Sequence, residues 1–159
     1  RRHGWADVEM SVTGLVHVNV NCSNFDRSLS FYELLGFQKL VDVPARNTDE
    51  VAAAVGMPPY EVKGALLILK AAKTPFVIDL LEWLDPNDGS PPYEHLYHLG
   101  IARIALASDD LDADVEFLKL NGVEFLSEPA TVQLTDSPAT RFVCFKDPDG
   151  TILELVEGT

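Results

Sequence analysis

Cysteine is scarce, positive charge is scarce, and long apolar runs are missing. The chain of 159 residues holds only Cys22 and Cys144, too few for a disulfide framework. Both fall in apolar strand patterns, which predicts buried thiols in a reducing cytoplasm. No apolar stretch approaches the roughly 18 residues of a membrane-spanning helix. No apolar core follows the arginines of the opening RRHGWADVEM, so a signal peptide is not expected either. Met10, followed by SVTG, reads as a native start, which leaves residues 1–9 as a non-native remnant or a disordered N-terminus. Twelve Lys and Arg stand against 25 Asp and Glu, a net charge of −13. Nucleic acid needs a basic face and is excluded as a partner. An acidic surface of this kind serves solubility, and an acidic cleft could draw cationic ligands.

What is present is a repeat. Residues 14–37, GLVHVNVNCSNFDRSLSFYELLGF, lie without a gap on residues 100–123, GIARIALASDDLDADVEFLKLNGV, at an offset of 86 (100 − 14). Gly14 meets Gly100, Val18 meets Ile104, Asp26 meets Asp112, Phe31 meets Phe117 and Gly36 meets Gly122. A repeat of this length in a short chain speaks to architecture. Over residues 15–21, Val16, Val18 and Val20 alternate with His17, Asn19 and Asn21, the period of a strand. Ser23 or Asn24 can cap the helix that follows, and Phe25, Leu29, Tyr32 and Leu35 recur at helical spacing before Gly36. A second strand spans 37–43, a short helix 48–55 with Thr48 as cap, and apolar strands 65–69 and 76–83.

Residues 84–99, LDPNDGSPPYEHLYHL, read as a connector rich in proline and glycine. The second half repeats the order. It has a strand at 101–107, a helix capped by Asp109 or Asp110, a strand start at 123–126, and a final pair at 141–145 and 151–157. The Asp147-Pro148-Asp149-Gly150 turn joins that pair, with Pro fixing one φ and Gly supplying a positive one. Asp79 in FVIDLLEW aligns with Glu154 in TILELVE at an offset of 75 (154 − 79).

A duplicated βαβββ module closed by FKDPDGTILELVE resembles the vicinal-oxygen-chelate superfamily. That group includes glyoxalases, methylmalonyl-CoA epimerase, extradiol dioxygenases, fosfomycin-resistance enzymes and bleomycin-binding proteins. The resemblance covers residues 12–157 as a single domain, with module one at about 14–83 and module two at about 100–157. It implies an α+β fold in which the two modules form a curved mixed sheet around a cleft, helices outside. It also implies a cytoplasmic homodimer that handles a small molecule.

Metal-binding relatives place four ligands in the first and last strands of each module. Carried over, these positions are His17, Asp79, Arg103 and Glu154. Arg103 departs from the pattern, because a guanidinium only donates hydrogen bonds and stays charged. His98 lies five residues before it and reads as a connector residue rather than a substitute ligand.

Two pictures fit this set. In one, His17, Asp79 and Glu154 hold a divalent Mn, Fe, Zn or Ni ion while Arg103 orients an anionic substrate. In the other, which is preferred, Arg103 takes the cation's place and pairs with the carboxylates. The resemblance then implies a small lyase or isomerase using His17 and Glu154 with Arg103. The alternative is a metal-free binding or antibiotic-sequestering protein of the bleomycin-resistance type. Extradiol dioxygenase chemistry fits less well, since its iron needs a second histidine. Asn19, Trp83 and Tyr97 are the further candidates for ligand contact.

Overall fold

A short polar side chain turns strand into helix at the head of each module. In the computed structural model, which describes residues 10–133, 136 and 138–158, strand β1 (Val18–Cys22) runs into α1 (Phe25–Leu34). Asn24 caps that helix by accepting the amide of Arg27. Strand β5 (Ile104–Ala107) leads into α3 (Leu111–Leu120) in the same manner, with Asp110 accepting the amide of Ala113. Gly36 (φ +100°) and Gly122 (φ +81°) end the two helices in the left-handed conformation that glycine takes without strain. The expectation for residues 1–9 lies outside the described residues.

The first module continues with β2 (Phe37–Asp42), α2 (Asp49–Ala54), β3 (Glu61–Leu69) and β4 (Val77–Asp85). The second continues with β6 (Ala130–Val132), β7 (Thr140–Lys146) and β8 (Ile152–Glu157). Each module forms a four-stranded sheet, in the orders β1-β4-β3-β2 and β5-β8-β7-β6. The first and last strand of each pair in parallel, the other neighbours antiparallel. This is the tandem βαβββ architecture expected. The single curved sheet is not: the described strands make two separate sheets, because β1 and β5 stay at the sheet edges and pair only with β4 and β8. No described helix is long and apolar enough to cross a membrane.

Both leading strands start later than alternation predicts, at Val18 rather than residue 15 and at Ile104 rather than residue 101. Their partners run out. Val18 already faces Ile78 near the head of β4, and Ile104 faces Leu153 near the head of β8. Residues upstream have no ladder to join. The strand start expected at 123–126 reduces to one bridge, Phe125 to Phe145, and β6 forms further on.

Strand parity then sorts the side chains. Val20, Ile78, Leu80, Ala65 and Leu67 turn to the helix side of the first sheet and are buried. Val143, Phe145, Leu153 and Leu155 do so in the second, and one continuous core joins both sets. Cys22 and Cys144 are buried and unpaired, as expected, and burial pushes the Cys22 thiol up to about 11.

Between the modules the core carries a polar clamp. The hydroxyl of Tyr32, fully buried on α1, donates to Asp147 Oδ2 at 2.9 Å in the β7–β8 turn. Asp147 Oδ1 accepts the amides of Asp149 and Thr151. Burial nevertheless holds its carboxyl above the usual range. Asp149 accepts the amide and hydroxyl of Ser23 and the guanidinium of Arg27, at the start of α1. The ring of Phe31 packs 6.3 Å from that of Phe145 alongside. Tyr32→Phe leaves a buried carboxylate short of a donor and should cost about 1–3 kcal/mol. A urea titration would show a lower midpoint at an unchanged slope; an unchanged midpoint would mean the bond does not hold the modules together.

Candidate functional site

The sheet faces turned away from the helices are where the four repeat positions meet their partners. Asn19 pairs with Asp79 across β1 and β4, and Ala105 pairs with Glu154 across β5 and β8. These are the same step of the same ladder, after the offsets of 86 and 75. His17 and Arg103 stand two residues upstream of Asn19 and Ala105, so parity sets them on the same faces.

The geometry resolves the four residues into two pairs, one per sheet. His17 Nε2 lies 3.8 Å from Asp79 Oδ2, with the imidazole 41% and the carboxylate 18% exposed. Arg103 Nε donates to Glu154 Oε1 at 2.8 Å. Glu154 is buried, and the Cys144 thiol lies 3.7 Å from the same oxygen. Burial and then the nearby Glu154 carboxylate raise the Cys144 thiol, against the opposing pull of Arg103. Asp79 is less well served: its Oδ1 is buried without a hydrogen-bond partner. Burial raises the Asp79 carboxyl above the ordinary range, and the charge of His17 offsets this in part.

This donor set does not fit a divalent ion. Among the described residues no three His, Cys, Asp or Glu side chains gather where one cation could touch them. Glu154 Oε1 already accepts from a guanidinium, whose own charge would oppose a cation beside it.

Beside the pairs lies a cleft of about 990 Å³. Its walls come from β1, the heads of β5 and β8, and the connector, and include Asn19, Asn21, Trp83, Tyr93, Ile101 and Arg103. Trp83 Nε1 donates to Asn21 Oδ1 at 2.9 Å, and Asn19 Nδ2 donates to the Asp79 carbonyl at 3.0 Å. Tyr60 packs its ring 4.8 Å from that of Trp83. The indole is thus held from two sides.

Of the sequence candidates, Asn19, Trp83 and Arg103 line the cleft, while His17, Asp79 and Glu154 lie on the sheet faces outside its wall. Tyr97 stands 81% exposed, stacked on His95. Tyr93 takes the wall position instead, with His98 stacked on it. The connector's wall, from Pro86 to Tyr93, carries no periodic signal and was legible only as a run of turn formers.

A family model described as the Glyoxalase/Bleomycin resistance protein/Dioxygenase superfamily matches residues 14–155, and the chain belongs to that superfamily. Similar solved structures include a glyoxalase family protein from Bacillus cereus, with a TM-score of 0.74 and 21% identity over 94% of this chain and 98% of that one. Another is TnmS3, an antibiotic binding protein from a Streptomyces strain, with a TM-score of 0.57 and 23% identity over 95% and 100%. A third is FosX, a fosfomycin resistance protein from Listeria monocytogenes, with a TM-score of 0.56 and 16% identity over 93% and 95%. At these identities the likeness is one of fold. Among curated proteins none matches the chain.

The raised Asp79 carboxyl has a consequence for stability. A folded chain that holds this proton more tightly than the unfolded one has the group's full contribution below the ordinary carboxylate value. That contribution is lost as pH rises through the raised value. Asp79→Asn, always neutral, should therefore gain stability over the wild type as pH climbs from about 4 to 7. Urea titrations across that range test it, and a difference that does not change with pH would contradict it.

Proposed function

We propose that this chain is a small-molecule-binding member of its superfamily that holds ligand in the cleft without a metal ion. One observation carries the reading: Glu154, a ligand in the metal picture and the partner of His17 in the expected chemistry, is buried and committed to the partly exposed Arg103. A buried carboxylate needs such a partner, and removing it would leave an uncompensated charge. The cleft supplies what binding needs, a concave wall with a fixed indole, a second aromatic ring and amides at hand. The antibiotic binding described for TnmS3 is consistent with this use of the fold.

A lyase or isomerase is the second reading, and the His17–Asp79 pair favours it. An imidazole beside a carboxylate on an open face can act as a general base while the acid orients it. His17 and Glu154 belong to different pairs, so the base would work with Asp79 and not with Glu154.

We also propose a homodimer. Leu15, Val16 and Leu99, just upstream of the two edge strands, are all more than two-thirds exposed, an apolar margin that a second copy would cover. The unpaired, buried cysteines support a cytoplasmic setting for the protein.

Metal analysis and ligand titration separate the readings. Protein purified without chelator or histidine tag should carry transition metal well below one ion per chain. Aromatic small molecules should quench Trp83 fluorescence, with the response lost in Trp83→Phe and no product formed. Stoichiometric metal that disappears in both His17→Ala and Glu154→Ala would overturn the binding reading. Turnover abolished by His17→Ala would replace it with the second.

A further inference from the structure

The wall of the cleft has an uneven chemistry that narrows its ligand, provided that the cleft is the binding site proposed above. Among the described residues that line it, Arg103 carries the only positive charge. Its Nε is spent on Glu154, and the side chain is 43% exposed. The two terminal Nη groups have no protein acceptor among the described residues, so the end-on edge of the fork remains open. The bond to Glu154 fixes the plane of that fork from behind. A guanidinium held in this way offers two parallel N–H bonds, and a carboxylate is the group whose two oxygens match them.

The acids around the cleft do not cancel this preference. Asp149 lines it but already accepts Ser23 and Arg27. Asp88 lines it too, accepts the Ser90 amide at 2.7 Å, and is fully exposed, where water and salt screen it. Glu154 sits on the far side of the guanidinium, so an oxygen on the Nη edge is nearer the positive group than the negative one. The net charge of −13 is spread over the whole chain and fades within roughly 8 Å at physiological salt. The rest of the wall is uncharged: Trp83, Tyr93, Ile101, Met57 and the connector prolines, with the amides of Asn19 and Asn21 and the hydroxyls of Ser23, Ser90 and Thr151 beside them.

We infer that the cleft takes a carboxylate borne on an aromatic or similarly flat apolar body, the carboxylate on the Nη edge of Arg103 and the body among Trp83, Tyr93 and Ile101. A cationic ligand would face the guanidinium. A neutral one would leave its donors half used.

Three isosteric probes test this by calorimetric titration at low salt: 2-naphthoate, 2-naphthalenemethanol and protonated 2-naphthylmethylamine. Naphthoate should bind about tenfold more tightly than the alcohol, equivalent to about 1.4 kcal/mol. The amine should bind most weakly, and added salt should shrink the preference for naphthoate. Arg103→Gln should bring naphthoate and alcohol to parity, with much the larger loss falling on naphthoate. Trp83→Ala should weaken both. Should the single change at Arg103 prevent folding, the double change Arg103→Gln with Glu154→Gln removes the buried charge as well and makes the same comparison. Equal affinity for naphthoate and alcohol in the unaltered protein, a preference that survives loss of Arg103, or tightest binding of the amine would each overturn the carboxylate assignment. In those cases the cleft would still be a binding site. Failure of all three probes to bind would remove the cleft reading itself.

Discussion

A strand gives each face of its sheet every second residue, and both halves of this molecule depend on that arithmetic. The helix side of each sheet takes Val, Ile, Leu and Phe and closes a single core shared by the two modules. The other side of the same strands is left with His17, Asn19, Asp79, Arg103 and Glu154 at its disposal. A slip of one residue in β4 or β8 would bury a carboxylate in the core and turn a leucine to the cleft side, so register is strongly specified here. Core and site are two readings of one pattern, which is why the same ladder step carries Asp79 in one sheet and Glu154 in the other.

The duplication is not symmetric in its chemistry. Shifted by 75, Asp147 and Asp149 fall on Ala72 and Thr74, so the carboxylate clamp to α1 exists on one side only. It ties the β7–β8 turn of the second module to the helix of the first, where buried Tyr32 and Phe31 also meet that module. At the open faces the asymmetry is of another kind. One sheet pairs its acid with a titratable imidazole at 3.8 Å, the other with a permanent cation at 2.8 Å. The first acid keeps an oxygen without a partner and is shifted by burial; the second is met by both Arg103 and Cys144.

Much of this was legible in the chain because repeats and alternation are local signals. The offsets matched His17 with Arg103 and Asp79 with Glu154, and the ladder repeats the second match, with Asn19 facing Asp79 and Ala105 facing Glu154. Caps were readable to within a residue, at Ser23 or Asn24, at Thr48 and at Asp109 or Asp110, and the chain uses Asn24, Thr48 and Asp110. The late starts of β1 and β5 were not readable, because alternation reports which face a residue prefers and not where its partner strand begins. The separation into two pairs was equally hidden. Whether facing modules bring four side chains together depends on how two sheets are set against each other, and no period in either sheet records that. Tyr97 was the candidate and Tyr93 takes the wall, because the fold of a proline-rich connector decides between them and composition does not record it.

Arg103, at a position where the resemblance expects a metal ligand, would change what the proposed cleft can recognise. A divalent ion between the modules would gather carboxylates and leave its remaining positions for ligand oxygens. The Arg103 guanidinium meets one carboxylate, Glu154, through Nε, and its Nη edge has no protein acceptor among the described residues. The second acid is then left to the imidazole, and the two halves of the site separate. In the proposed binding mode, recognition would pass from a central ion with several open positions to a planar fork at one wall. Selection among ligands then rests on the shape of the group that meets the fork and on the indole that Asn21 and Tyr60 hold beside the cleft.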